Sequence, residues 1–256
     1  MNHPTIVTTS WDDGDPSDLR VADLLIANDL RGTFYIPLHR EPGTRMLSSS
    51  EVRSLALAGF EVGAHTVSHR TLTNLPPDEI RHEVRESKRS LEQLLGYEVS
   101  EFCYPRGRFD ARVVREVELA GFEGGRTTRM LSLSSDFPRF AMPTTVQAFP
   151  HRNLDYVKNL TRAKNLPELI RYGAHLRHLP TWIDKGRALF DEALHKGGVW
   201  HLYGHSWEIQ ELGLWNELKE MLSYVSNREG VIYATNSEVR TLRERIPSRD
   251  PAGCLT

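Results

Sequence analysis

Two cysteines in 256 residues, Cys103 and Cys254, are too few for a disulfide framework, and a reducing compartment is expected. Neither sign of charge is in surplus. Thirty-two Lys and Arg stand against 34 Asp and Glu, a net charge of −2, so no basic field exists to recruit nucleic acid or an anionic membrane. No apolar run approaches the ~18 residues that a membrane span needs. Met1-Asn2-His3-Pro4 has neither the basic nor the apolar segment of an export signal, so a cytoplasmic protein is expected. Glycine-rich nucleotide loops of the G-x-G-x-x-G or P-loop type are missing. A Pro/Gly-rich linker and internal repeats are missing too, which points to a single domain over residues 1–256.

What is present is a soluble composition, 39% hydrophobic and 26% charged, with strand-like and helical segments in alternation. Strand-like runs fall at 5–9, 32–37, 60–64, 100–104, 123–127, 139–146, 198–203 and 230–235. Helical patterns cover Leu19 to Leu30, a stretch from Ser48 to Ala58, Pro77 to Leu95, Asp110 to Gly121 and Trp207 to Arg228. Eight strands with intervening helices favour an α/β fold of the TIM-barrel-like (β/α) type over an open doubly wound sheet. Residues 147–185 exceed a minimal βα connection and read as a helical excursion on the barrel, with a lid or an oligomer surface as the functional alternative.

Chemistry concentrates at two strand ends. Ser10-Trp11-Asp12-Asp13-Gly14 closes the first strand, and His65-Thr66-Val67-Ser68-His69 follows the third. One carboxylate with two imidazoles is a ligand set for a zinc-like divalent ion that keeps open positions for water and substrate. The second carboxylate is then placed to take a proton from water at such an ion. Taken singly, Asp-Asp-Gly reads as a turn and His-x-x-x-His as a pair of surface or core histidines. Their shared position after strands, where α/β folds carry their chemistry, favours a hydrolytic site.

Those motifs, with Pro105-x-Gly107 after the fourth strand and a histidine after a late apolar strand, resemble the polysaccharide deacetylases. This is carbohydrate esterase family 4, the nodulation-protein-B-like enzymes, and the resemblance runs from Thr9 to Glu238. It implies a distorted or incomplete barrel and a metal-dependent deacetylase that hydrolyses an N-acyl amide on an amino sugar. Carried over by position, Asp12 is the catalytic base, and Asp13, His65 and His69 hold the ion. Thr66 steadies the histidine loop, and His205, ending Val199-Trp200-His201-Leu202-Tyr203-Gly204-His205, is the general acid. Zinc is first among the ions on ligand type, with manganese, cobalt and nickel as alternatives.

The chain departs from the family pattern twice. Where the family has Arg-Pro-Pro-Tyr-Gly, this chain has Cys103-Tyr104-Pro105-Arg106-Gly107, so the arginine that pairs with the base is missing there. The Arg106 backbone N–H inherits the oxyanion role, with Tyr104 in the same motif. The family's Asp-x-x-Asp-Trp is replaced by Gly125-Arg126-Thr127-Thr128, which makes Arg126 a candidate for the missing cation. Trp11 and Trp207 flank base and acid as candidates for sugar stacking or simple packing. The expected substrate is an acylated amino sugar, nucleotide- or lipid-linked, used in surface-glycan biosynthesis, with Arg106 and Arg126 facing its phosphate. An O-acetyl esterase, a hydrolase of non-sugar amides and a non-catalytic carbohydrate-binding protein are the alternatives, and an oligomer is compatible with all of them.

Overall fold

The computed structural model describes residues 4–244; Cys254 and the first three residues lie outside that range. Among the described residues, eight strands run parallel in one curled sheet. They are β1 (Thr5–Asp12), β2 (Thr33–Ile36), β3 (Glu61–Ala64), β4 (Glu101–Cys103), β5 (Gly124–Arg126), β6 (Val146–Gln147), β7 (Gly198–Gly204) and β8 (Val231–Tyr233). Their order is β5-β4-β3-β2-β1-β7-β6. β8 joins the first half of β1, Thr5–Val7, on the edge whose second half, Ser10–Asp12, pairs with β2. The barrel is therefore incomplete, and among the described residues only the Arg126–Met142 bridge and scattered loop hydrogen bonds span the gap between β5 and β6.

Period-two alternation sorts the strand residues. On β1, Val7 and Trp11 pack outward into the apolar layer beneath the helices. Ile6, Thr8, Ser10 and Asp12 alternate with them and climb the interior. At the bottom Ile6 meets Val199, Met142 and Val239 in a small apolar plug. Above it, the Thr8 hydroxyl donates to Asn236 (2.9 Å), and the Ser10 hydroxyl meets His201 Nε2 at 2.8 Å. His201 Nδ1 donates to the Pro143 carbonyl, so its Nε2 carries the lone pair, and burial holds it neutral with a pKa near 3. His201 is thus a satisfied interior residue one layer below the site. Asp12 ends the climb at the mouth.

The helices are α1 (Asp18–Ala27), α2 (Ser49–Leu57), α3 (Pro77–Leu95), α4 (Ala111–Leu119), α5 (Asn153–Arg162), α6 (Leu166–Arg171), α7 (Trp182–Lys196), α8 (Ser206–Leu212), α9 (Trp215–Val225) and α10 (Asn236–Glu244). Two expectations need correction. The strand at 139–146 shrinks to a bridge at Met142 and the two-residue β6, because the chain there spans the open side of the barrel without a neighbour to ladder against. The helix over 207–228 is two helices, since Gly213 leaves the first in the left-handed region (φ 69°), which caps a helix and cannot continue it. The excursion expected at 147–185 is helical: α5, α6 and a π-helical turn at Tyr172–Leu176.

Candidate metal centre and active site

β1, β3 and β7 deliver their ends to one mouth. Asp13 leaves β1 at φ 83°, a left-handed conformation that Asp tolerates better than most residues, and its N–H donates to the Tyr35 carbonyl. Thr66 and His69 also sit at positive φ (72° and 54°) in the loop after β3. That strain is held by specific bonds: the Thr66 hydroxyl accepts from the His69 N–H (3.0 Å), and Glu83 of α3 accepts from the N–H groups of Val67 and Ser68 (both 2.9 Å).

The result is a three-donor cup. Asp13 Oδ1 lies 3.1 Å from His69 Nε2 and 3.7 Å from His65 Nε2. His65 Nδ1 donates to the Cys103 carbonyl (2.8 Å), which leaves the Nε2 lone pair pointing at Asp13. Burial holds both imidazoles below their ordinary pKa, His69 near 4, so both present neutral nitrogens. Asp13 Oδ2 accepts from the Trp207 indole N–H (2.9 Å) and faces Arg40 at 3.2 Å, whereas the buried Oδ1 has no hydrogen-bond donor. Burial raises the Asp13 carboxyl, but His205, His65, His69 and Arg40 outweigh it and bring it down to about 2. An ionised oxygen facing two lone pairs in a buried site is what a divalent cation satisfies, so the residues fit the expected ion. Trp207 and Arg40 would fix the orientation of the carboxylate from behind.

A second cluster of donors, Asp12, His65 and Cys103, does not have this character. Asp12 Oδ1 is taken by Arg126, and burial pushes the Cys103 thiol well above its ordinary range, so it stays protonated.

Asp12 is buried, and desolvation opposes its charge. The Arg126 guanidinium, with His65 and His205, outweighs that cost and holds the carboxyl below its usual range. Arg126 bonds Asp12 directly and lies between two rings, its guanidinium carbon 5.1 Å from both Tyr35 and Tyr203. It stands opposite Cys103 in the β4–β5 register. The cation absent from the end of β4 is thus supplied one strand over.

His205 caps the end of β7. Its Nδ1 donates to Glu208 (2.7 Å) and its Nε2 lies 3.9 Å from Asp12 Oδ2. Burial lowers its pKa, but the Glu208 bond and the charges of Asp13 and Asp12 raise it to about 9, so the ring is protonated at neutral pH. Gln147 extends the network, donating to Glu208 (3.0 Å) while its carbonyl oxygen meets Tyr203 (2.5 Å) and His151 (2.8 Å).

Asp12, Asp13, His65, His69, His205, Arg106 and Trp207 line one open cavity of about 1030 Å³. Trp11 and Tyr104 do not reach it. Trp11 lies on the outward face of β1 with its indole N–H on Thr9, and Tyr104 is buried with its hydroxyl on the Phe140 carbonyl and its ring stacked on Phe109. Neither is available for sugar stacking or oxyanion contact. Arg126 is fully buried on Asp12 and is likewise unavailable to a substrate phosphate. Four residues escaped the sequence reading: Arg40, Glu83, Glu208 and Gln147. Only Glu208 had a local signal, three residues after His205 at a helix start, where side chains i and i+3 meet.

A sequence model described as polysaccharide deacetylase matches residues 2–125. Chitin deacetylase 1 of Cryptococcus neoformans is 31% identical over 106 residues, 41% of this chain and 22% of that protein. YxkH of Bacillus subtilis, named as a polysaccharide deacetylase, is 25% identical over 96 residues, 38% of this chain and 34% of that one. The aligned stretch thus spans about a third or less of these relatives. A Mycobacterium smegmatis structure carrying the same family name superposes with a TM-score of 0.68 at 16% identity, covering 100% of this chain and 95% of that one, which establishes the shared fold. Over residues 2–125 the chain is similar to the polysaccharide deacetylase family, and its incomplete barrel is the fold of the Mycobacterium smegmatis protein.

Breaking a buried ion pair by removing one partner typically costs about 3–5 kcal/mol. Arg126→Leu, which leaves the Asp12 carboxylate alone in the barrel, is expected to lose stability on that scale in urea unfolding. A loss below about 1 kcal/mol, the scale of an exposed pair, would show that the pair is solvated.

Proposed function

We propose that the protein is a divalent-metal-dependent deacetylase that hydrolyses the N-acyl amide of an amino sugar. The observation that carries this reading is the division of labour between adjacent carboxylates: Asp13 is turned to the two neutral histidines, and Asp12 is held ionised by Arg126 beside a protonated His205. Asp13, His65 and His69 would hold the ion, zinc by ligand type. A divalent cation in such a site polarises the acyl carbonyl and acidifies water.

Asp12 takes the proton of the attacking water, the role for which it is kept charged and within the cavity. The Arg106 backbone N–H, at the cavity edge in the left-handed region (φ 58°), donates to the developing oxyanion. His205 delivers its Nε2 proton to the leaving nitrogen, and Glu208 keeps that proton in place by accepting from Nδ1. An amine leaves poorly unless protonated, and a histidine raised to about 9 supplies that proton; this favours amide over ester cleavage. Trp207, partly exposed at the cavity wall with its indole N–H on Asp13, is the surface on which a sugar ring would rest.

Asp12→Asn should bind zinc like the wild type and release acetate from N-acetylated amino-sugar oligomers about 10²–10⁴-fold more slowly. His65→Ala/His69→Ala should lose the ion itself. Metal content by mass spectrometry beside an acetate assay separates the two, and wild-type turnover in Asp12→Asn would reject its role. Glu208→Gln should shift the alkaline limb of kcat/KM to lower pH. The wild-type limb is expected near pH 9 because His205 must stay protonated, and the substitution removes a charge that raises its pKa. An unmoved limb would separate Glu208 from the acid.

A further inference from the structure

With Arg126 committed to Asp12, any substrate anion must be met by other cations, and a group of them lies beside the main cavity. A side cavity of about 140 Å³ shares Thr128, Asn159 and Arg162 with the catalytic cavity, and Arg108 and Arg129 complete its charged wall. No acidic side chain lines it. Among the described residues Arg108, Arg129 and Arg162 make no ion pair; Arg129 only faces the Phe109 ring at 5.0 Å. Burial and the nearby Arg108 charge both press the Arg162 guanidinium towards its neutral form, so this grouping opposes itself without an anion.

The backbone segments that carry these side chains are tied together. Asn159 of α5 donates to the Thr128 carbonyl (2.7 Å) and accepts from the Met130 N–H (3.0 Å), which ties the loop bearing Arg129 to the helix bearing Arg162. Gly107, at φ 62°, lets that same loop press against the turn bearing Arg108, since a Cβ there would collide with the Thr128 hydroxyl. That hydroxyl has no protein partner among the described residues. Arg106 and Lys158 add charge on the catalytic side, where Glu41 and Asp155 also line the cavity; Asp155 is engaged by Arg152 (3.5 Å).

We infer that the substrate carries a phosphoryl group, seated by Arg108, Arg129 and Arg162, while its acylamino sugar reaches Asp12 and His205 next door. Guanidinium forks match phosphate oxygens pairwise, and several of them around a small cavity suit a multiply charged oxyanion better than a neutral polymer. The inference rests on the deacetylase reading above. It leaves two sources for one chemistry, a nucleotide-linked and a lipid-diphosphate-linked sugar.

The test uses the zinc-loaded protein and its Arg108→Glu/Arg162→Glu variant, two exposed positions. Inorganic phosphate titrated calorimetrically should bind the variant at least about tenfold more weakly, since charge-assisted bonds are lost and repulsion is introduced. Acetate release is then compared on a nucleotide-linked N-acetyl amino sugar, a lipid-diphosphate-linked one and a neutral chito-oligosaccharide. The kcat/KM ratio of phosphorylated to neutral substrate should fall at least about tenfold in the variant. Whichever phosphorylated arm is preferred identifies the source. Equal phosphate binding, or an unchanged ratio, would overturn the inference. If no substrate releases acetate, the deacetylase reading fails, and the phosphate titration still decides the anion site by itself.

Discussion

The site depends on one buried ion pair. Asp12 sits at the top of a barrel interior where an isolated carboxylate would take up a proton and cease to be a base. Arg126 prevents this, with its guanidinium carbon 5.1 Å from the rings of both Tyr35 and Tyr203. Tyr35 is fixed in turn by Asn236, which donates to its hydroxyl (2.9 Å), and by Gly63, where a Cβ would lie 2.5 Å from the ring. A contact at the mouth thus has supports reaching to the far end of the chain. α10 closes the barrel floor partly for this reason: its first residue reaches Thr8, Thr33 and Tyr35.

Two neighbouring aspartates are given different partners by backbone direction. Asp12 still follows the strand and points inward to a guanidinium. Asp13 turns at positive φ and points to two imidazoles and an indole. Each carboxylate has its own counter-charges, Arg126 for Asp12 and Arg40 for Asp13. His205 stands between them electrostatically, raised by both and oriented by Glu208. The proposed base, ion cup and acid are therefore one coupled electrostatic unit, and the tools that build it are mostly ordinary: strand ends, a strained loop held by Glu83, and a helix start.

The sequence made part of this legible. Asp12, Asp13, His65, His69 and His205 lie in short contiguous motifs at strand ends, so reading them requires no knowledge of the sheet. Arg126 was visible only as a charge near a departed motif, because its pairing with Asp12 is decided by the β4–β5 register, which brings it level with Cys103. Arg40 and Gln147 act across loops distant in sequence and had no local signature. Trp11 and Tyr104 misled for the converse reason. Trp11, next to Asp12 on β1, falls on the opposite face of the strand, and Tyr104, just past the end of β4, is buried against Phe109 and Phe140; both are consumed by packing. The same logic explains the lost strand at 139–146: apolar content cannot reveal that a segment spans an open side of the sheet.

The most direct test of this account is zinc-edge anomalous scattering from crystals of the zinc-loaded protein. The account predicts a peak about 2 Å from Asp13 Oδ1 and from Nε2 of both His65 and His69, with Asp12 still on Arg126. A peak among Asp12, His65 and Cys103, or no peak at the Asp13 cup, would contradict it.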